Sequence, residues 1–538
     1  MKPFRIHAVL FDFDGTLTQP GAIDFDVICR EIGCPADTPV LEYIESLADP
    51  QKKASAWQVV ERFEMAAAAV SQPNRGAEKI IAHIRDSGLR LGILSRNSLA
   101  SIRRALNNFT KIQENDFDYV VSRDLPVKPK PHPEGIYHAA RAMGVDADQI
   151  MVVGDYIFDI QAGRAAGAVT VFLENGNGTA GASVAGDFSI AHLDDLKDIL
   201  RMGLPLPTGK LPNDLLARFT GDFRLDDPSI IMGPGVGEDV AAIRPVDNEI
   251  LVLKSDPITF ATSAIDQYAI LINANDIATS GAAPRWLLTT LLFPCGTTPS
   301  EIGHVMGAIR EMGAGLGISL CGGHTEITDA VTRPVVSGMM IGTVPEVDLV
   351  DKRRVRSGDQ VLLTKKVAVE GTAIIAREFG DRLLNLGMDQ ADLDDAKGFL
   401  SQIGILTEAR IATDTGGIHA MHDVTEGGIA TAIYELSAAG GRRIEVNMDA
   451  IPIYENTRRI CSLFGLDPLG LIGSGSLLIC CSPDSCRRLM GRIDKAGIPV
   501  SCVGCVTDSG VGVDALANGK KVPWPVFDRD ELARLFDA

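Results

Sequence analysis

The sequence predicts an α/β protein of two units in series: a parallel sheet covered by helices and carrying a helical cap, then an α+β unit of two subdomains. Three observations carry that prediction. From Ile6 to about Leu200, strand-like runs alternate with segments of helical period, the pattern of parallel strands joined by crossover helices. The rhythm breaks between Pro20 and Asn74, where helical spacing runs on with no strand between. Around Met202-Gly-Leu-Pro-Leu-Pro-Thr-Gly-Lys-Leu-Pro212 periodicity is lost and proline and glycine accumulate, as in a linker between domains.

In the first half the strand-like runs are Ala8 to Phe13, Leu89 to Leu94, Ile150 to Val153 and Val169 to Leu173. The inserted cap shows helical spacing over Val27 to Ile32, Val40 to Leu47 and Ala54 to Val70. Beyond the linker, strands are expected over Ile250 to Lys254, Trp286 to Phe293, Val335 to Ile341, Gln360 to Thr364 and Leu477 to Cys480. Helices are expected over Ala264 to Ser280 and Ile429 to Ser437. The resulting borders are a first domain over 1–203 with its cap at about 20–74, a linker over 204–212, and subdomains over 213–350 and 351–538.

Bulk properties narrow the function. A chain of 538 residues exceeds what one core can hold, so more than one domain is required. The formal charge of −19 repels nucleic acid and anionic membranes, and no basic run offsets it. No apolar stretch approaches the ~20 residues that span a bilayer, and Met1-Lys-Pro leads directly into a strand, so a cytoplasmic protein is expected, with no nucleic-acid or membrane partner. The ten cysteines are scattered and read as reduced core thiols. Cys502-Val-Gly-Cys505 has no second pair at zinc-site spacing.

Asp12 and Asp14 close the first strand-like run two residues apart, so in extended chain their side chains point the same way, roughly 6.5 to 7 Å apart. Both can face one phosphate; the competing reading is an Asx pair capping the next segment. Gly15 permits the turn that follows, and the carboxyl ends of parallel strands are where open sheets bind ligands. Further strand ends supply matching groups. Ile93-Leu94-Ser95 offers a hydroxyl, Lys128-Pro-Lys130-Pro-His-Pro133 a cation in a stiff loop, and Val153-Gly154-Asp155-Tyr-Ile-Phe-Asp159 two acids at i and i+4, read as one helical face.

In this order the four segments resemble the signature of the haloacid dehalogenase (HAD) superfamily over residues 1 to about 200, in its phosphoglycolate-phosphatase-like branch. The resemblance implies a HAD Rossmann-like sheet and Mg²⁺-dependent hydrolysis of a small phosphorylated metabolite. Asp12 would attack phosphorus and form an aspartyl-phosphate; Asp14 would protonate the leaving group and later deprotonate water. Asp12, Asp155 and the main-chain carbonyl of Asp14 would hold the metal, with Asp159 supporting that shell. Thr16, Ser95 and Lys130 would bind phosphate oxygens, Lys130 preferred to Lys128 for its spacing to the helix that ends at Gly144. An anionic nucleophile approaching an anionic phosphate needs such positive charge.

The second half repeats the theme with other spacing. Gly233-Pro-Gly-Val-Gly-Glu-Asp239 is a glycine-rich loop ending in acids; Lys254-Ser-Asp256 follows a β-run; Asn273-Ala-Asn275-Asp276 lies in a helical segment; and Gly322-Gly323-His324-Thr-Glu326 follows another strand. No Walker lysine motif accompanies them. These segments resemble the AIR synthetase-like (PurM-like) superfamily and within it the hydrogenase-maturation factor HypE; His422-Asp423-Val-Thr-Glu-Gly427-Gly428 and Asp467-Pro-Leu extend the match over about 213 to 510. The resemblance implies ATP with Mg²⁺ and a homodimer formed through the C-terminal domain. It implies a nucleotide or second metal site of Asp239, Asp256, Asn275, Asp276, Gly322 and Gly323, with Gly427 and Gly428 shaping a phosphate loop. HypE carries its substrate on a C-terminal cysteine, whereas this sequence ends Arg-Leu-Phe-Asp-Ala538, so HypE's reaction on its own tail is not expected; Ser474 also stands where HypE has an acid.

The sequence is thus expected to encode a HAD phosphatase fused to an ATP-dependent domain. The alternative is a phosphatase whose C-terminal half senses nucleotide and dimerises without catalysis.

Overall fold

The computed structural model describes residues 2–21, 23–35, 38–175, 186–221, 227–233, 241–245, 248–258 and 264–536. Two compact units emerge, Met1–Pro207 with Gly296–His304, and Thr208–Cys295 with Val305–Ala538.

In the first unit β1 (Ala8–Phe11) is four residues of buried Ala-Val-Leu-Phe, apolar on both faces as a strand covered by helices must be. The cap follows: α1 (Phe25–Ile32), α2 (Val40–Ser46) and α3 (Pro50–Val70). Asp24 and Asp49 side chains cap α1 and α3 at their free N–H groups. The cap has its own small core in Ile28, Val40, Ile44, Ala56 and Val60. Then come α4 (Ala77–Asp86), β2 (Arg90–Leu94), α5 (Leu99–Leu106), β3 (Tyr119–Val121), α6 (Glu134–Met143), β4 (Ile150–Gly154), α7 (Ile157–Ala166), β5 (Val169–Leu173), β6 (Phe188–Ile190) and α8 (Leu196–Gly203). The strands form one wholly parallel sheet in the order β3-β2-β1-β4-β5-β6. Its central strands β1, β2 and β4 end beside one another, which brings Asp12, Ser95 and Asp155 to one edge.

Two short strands, β3 and β6, are additional to the four expected; at three residues each they give too little alternation to read. Asp155 and Asp159 do not share a helical face. Asp155 precedes α7 and Asp159 sits in its first turn, so the pair converges across the helix start.

The second unit opens with β7 (Gly209–Lys210), α9 (Asn213–Gly221), β8 (Ile230–Met232) and β9 (Ala242–Ile243). β10 (Glu249–Ile258), α10 (Ile265–Thr279), β11 (Ala283–Pro294), α11 (Pro299–Leu316, of which Pro299–His304 belongs to the first unit), β12 (Ser319–Thr328) and β13 (Val335–Pro345) follow. Their sheet has the order β10-β13-β11-β12-β7 and mixes parallel and antiparallel pairs. The last part holds β14 (Gln360–Thr364), α12 (Val369–Glu378), α13 (Gly380–Asn385), α14 (Gln390–Gly398), α15 (Leu406–Thr415), β15 (Ile418–Asp423), α16 (Gly428–Gly440), β16 (Arg442–Asn447), α17 (Glu455–Phe464), β17 (Leu477–Cys481), α18 (Pro483–Lys495), β18 (Val500–Ser509), β19 (Gly512–Ala517) and β20 (Lys520–Val522). These strands make a seven-stranded sheet ordered β15-β17-β14-β18-β16-β19-β20.

Two expectations change here. Asp256 does not follow its strand but lies within β10, which continues through Pro257; a proline that would break a central strand is tolerated on this edge strand. Gly322 and Gly323 are not in a turn after a strand but inside β12, paired with Leu288 and Thr289 of β11. Among the described residues no helix is long and apolar enough to cross a membrane.

Candidate functional site

The first site gathers where the parallel strands end. The Asp12 main chain donates to the Val153 carbonyl (2.8 Å), extending the β1–β4 ladder one residue and fixing Asp12 beside β4. Gly15 then turns with φ of 78°, and a Cβ there would lie 2.2 Å from an oxygen of Asp155, so only glycine lets the loop pass so near that carboxylate. Among the described residues, ligand oxygens of Asp12, Asp155 and Asp159 lie within 4.8 Å of one another. Three carboxylates at that spacing are hard oxygen donors suited to Mg²⁺ rather than to a softer metal.

Lys130 is buried and bonds Asp12 and Asp159, both at 2.5 Å. Burial opposes its charge, but the two aspartates outweigh that and hold the ammonium above its usual range. Asp155 and Asp159 are each pushed up to about 7, chiefly by burial and next by the negative charge of Asp12. Carboxylates crowded this closely resist ionising together unless positive charge joins them.

Asp14 stands outside that trio. Its Oδ2 accepts from Asn97 Nδ2 (2.5 Å), and its carboxyl is pushed up to about 6 by burial, against the lowering effect of Asn97 and with Asp12 and Glu64 adding to the rise. Thr16 is fully buried and its hydroxyl donates to Asp155 (3.1 Å), so it orients that carboxylate rather than facing the open site. Ser95 lines the neighbouring cavity, and its hydroxyl accepts from the Asn97 main chain (3.1 Å). Asn175 donates to the Gly15 carbonyl (2.7 Å) and to Asp155 (3.4 Å), and Asn74 donates to the Gly15 and Thr16 carbonyls. These three asparagines escaped the sequence reading. Asn97 alone carried a signal, two residues past a strand-end serine.

In the second unit Lys254 Nζ lies 3.0 Å from Asp276 and 3.6 Å from Asp256, so β10 and α10 bring those acids together. Asp276 is pushed up to about 6, first by burial and then by nearby Asp423. Asp423, at the end of β15, is buried with Oδ2 unpartnered, as is Oε2 of Glu370 in α12. Neither was picked out as a site residue, although Asp423 stood in a noted motif. His422 beside it accepts from Lys352 (2.8 Å) and meets Glu435 (3.1 Å).

Other expected members are placed differently. Asn275 is fully buried, its amide spent on the Ile403 carbonyl (2.8 Å) and the Ile405 N–H (2.9 Å), a packing role. Gly427 takes φ of 78° at the start of α16, but its N–H donates to Asp530 (2.6 Å). Gly428 packs against the Leu469 carbonyl, 2.5 Å from where a Cβ would stand. Asp239 lies outside the described residues.

Comparison with known proteins agrees with this division. The haloacid dehalogenase-like hydrolase family matches residues 6–167, the N-terminal domain of AIR synthase related proteins matches 237–344, and their C-terminal domain matches 356–515. An uncharacterized hydrolase of Saccharomyces cerevisiae is 32% identical over 173 residues, 32% of this chain and 78% of that protein. Carbamoyl dehydratase HypE of Escherichia coli is 27% identical over 241 residues, 44% of this chain and 68% of that protein. The crystal structure of Escherichia coli HypE, a hydrogenase maturation protein, shares the fold with a TM-score of 0.50 and 22% identity, covering 60% of this chain and 98% of that one. The chain belongs to the haloacid dehalogenase-like hydrolases through its N-terminal part and to the AIR synthase related proteins, HypE among them, through its C-terminal part.

Proposed function

We propose that the first unit hydrolyses phosphate monoesters with Mg²⁺, through a phosphoryl group carried on Asp12. The observation that supports it most is the convergence of Asp12, Asp155, Asp159 and Lys130 at one sheet edge, with Asp14 held apart in a separate environment. The Asp12 carboxylate attacks phosphorus, forming an O–P bond as the ester O–P bond breaks. Asp14, its carboxyl raised toward neutrality, gives its proton to the departing alkoxide. Water then attacks the acyl phosphate, Asp14 takes the water's proton, and inorganic phosphate leaves with Asp12 restored. Asp12 and Asp155, with the Asp14 carbonyl, would hold Mg²⁺, which supplies charge neutralisation on the phosphoryl oxygens; Lys130 adds a fixed positive charge. Asn97 orients Asp14, and Thr16 and Asn175 orient Asp155. The test is hydrolysis of p-nitrophenyl phosphate by the full chain. Asp12→Asn is expected to lower kcat by about a thousandfold or more, the scale of losing a covalent nucleophile; a loss under tenfold would refute the assignment.

We infer that the second unit binds ATP near Lys254, Asp256, Asp276 and Asp423, with Asp239 as a further ligand, and acts as a homodimer. The kinship with a carbamoyl dehydratase supports an ATP-dependent reaction on a carbonyl or acid oxygen. Gly427, whose N–H is already taken, favours the second reading, a nucleotide-sensing module without turnover. ATP hydrolysis measured in the Asp12→Asn chain separates the two, since the first site is then silent.

A further inference from the structure

Within the first unit one guanidinium joins the cap to the segment that carries Asn97. Arg123 follows β3, and its fork is held bidentate by Glu64 of the cap helix α3 (2.5 and 2.9 Å). Both side chains are largely withdrawn from solvent, 18% and 5% exposed, and the guanidinium lies over the Trp57 ring of the same helix, 4.6 Å from its centroid. Among the described residues no other group bonds the Glu64 carboxylate. A buried carboxylate stranded without its cation is costly, so Arg123 is what lets α3 take this seat. Farther along α3, Asn108 of the core donates to the Ala68 carbonyl (2.8 Å), a second point of attachment.

Arg123 also holds the segment after β2. Its Nη1 donates to the Arg96 carbonyl (3.2 Å), and its main-chain N–H donates to the Asn97 carbonyl (2.8 Å). Alongside, the Leu99 N–H donates to the Asp124 carboxylate (2.7 Å), so the chain after β2 is tied to the chain after β3 at several points. Asn97 Nδ2 in turn donates to Asp14 Oδ2 (2.5 Å). Contacts therefore run in series from the cap to Asp14, through Glu64, Arg123, the Arg96 and Asn97 carbonyls, and the Asn97 amide. A guanidinium gripped on two prongs has little freedom to turn, so the seat of α3 fixes where Nη1 points and hence where the Asn97 main chain stands. A proton donor works only within hydrogen-bond reach of the departing oxygen, and a displacement of about an ångström is enough to lose rate.

Resting on the phosphatase reading above, we propose that Arg123 and Glu64 are positioning residues, which couple the seating of the cap to the alignment of Asp14 for proton delivery to the leaving group. They act through Asn97, and their loss is felt most where the departing oxygen most needs a proton. The experiment measures kcat/KM, which reports the steps up to departure of the leaving group, for the full chain with Mg²⁺ on p-nitrophenyl phosphate and on phenyl phosphate. The two esters share an aryl ring, but phenoxide is far the more basic leaving group. The measurement is repeated with Arg123→Gln, with Glu64→Gln and with both together; the double variant removes both charges at once, strands neither, and carries the test should a single variant not fold. Each variant is expected to lose about tenfold more activity toward phenyl phosphate than toward p-nitrophenyl phosphate, within the range that a general acid contributes. Equal losses on the two esters, or no loss, would assign the pair to cap packing alone and overturn the positioning role while the phosphatase stands. Native turnover confined to p-nitrophenyl phosphate would mean that no proton reaches the leaving oxygen, and overturns that role likewise. Absence of native turnover with either ester would instead fell the phosphatase reading and this inference with it.

Discussion

Residues that act in pairs explain most of what the two sites can do. Asp12 and Asp14 were legible as two acids on one strand end, and their different surroundings come from what each meets: Lys130 for Asp12, Asn97 and burial for Asp14. Sequence spacing cannot report such partners, because Lys130 lies 118 residues from Asp12 and Asn97 lies 83 from Asp14. Thr16 shows the converse, a residue placed next to phosphate by resemblance whose hydroxyl the fold assigns to Asp155. Glu370 in the second unit is a buried acid with one oxygen unmatched. Burial pushes its carboxyl from the ordinary 4.5 up to about 7, against hydrogen bonds from Ser474 and with Asp530 and Asp423 adding to the rise. Below pH 4.5 the group is protonated in folded and unfolded chain alike and its contribution is fully present. As pH rises toward 7 the unfolded chain loses the proton first, and stability drains away, on the order of 3 kcal/mol by pH 8. Glu370→Gln, which mimics the protonated form, is expected to raise the denaturation midpoint at pH 8 and leave it nearly unchanged at pH 4.5. An equal shift at both pH values would contradict the raised carboxyl.

Elements were read best where burial makes a strand apolar on both faces. β1, β2, β4 and β5 were found within about two residues, as were the three cap helices within about four, because apolar runs and 3.6-residue stripes are local signals. The sequence was misleading where residues that usually punctuate chains stand inside strands. The strand expected to stop at Lys254 runs on through Pro257 in β10, and Gly322-Gly323, expected after a strand, lies within β12; only sheet position shows this: β10 is an edge, and Gly323 backs onto Thr289 of β11. A Cβ at position 323 would fall 2.3 Å from the Thr289 carbonyl oxygen, whereas one at position 322 would sit 3.5 Å from Ala241 and Leu288 side chains. Gly323→Ala is therefore expected to destabilise the chain by roughly 2 kcal/mol, the scale of overpacking, and Gly322→Ala by well under half of that. Chemical denaturation of the two variants checks this; comparable losses would mean that the β11–β12 contact is looser than described.

At the scale of the whole molecule the fusion itself is the finding, a hydrolase fold joined to an AIR synthase related fold in one chain. A linker was expected over 204–212 from a lapse in periodicity; the two units part at Pro207/Thr208, and the chain's return of Gly296–His304 to the first unit had no local sign. The homodimer inferred for the second unit has a physical motive. Leu251 and Leu253 on β10 and Met339 on neighbouring β13 project from one sheet face, and they are 43%, 62% and 44% exposed. Adjacent exposed apolar side chains on a sheet face mark an association surface. Leu253→Asp is expected to convert a species of twice 57.4 kDa into one of 57.4 kDa in sedimentation equilibrium; a native chain already monomeric would contradict the dimer.

The central claim is that Asp12 carries the phosphoryl group, and trapping that intermediate tests it most directly. The full chain with Mg²⁺ is mixed with excess p-nitrophenyl phosphate, quenched in acid within the first turnovers, digested and read by mass spectrometry. The account predicts one phosphate's mass on the peptide that contains Asp12 and none in the Asp12→Asn chain. Steady hydrolysis with that peptide unmodified, or with the label on another residue, would contradict it.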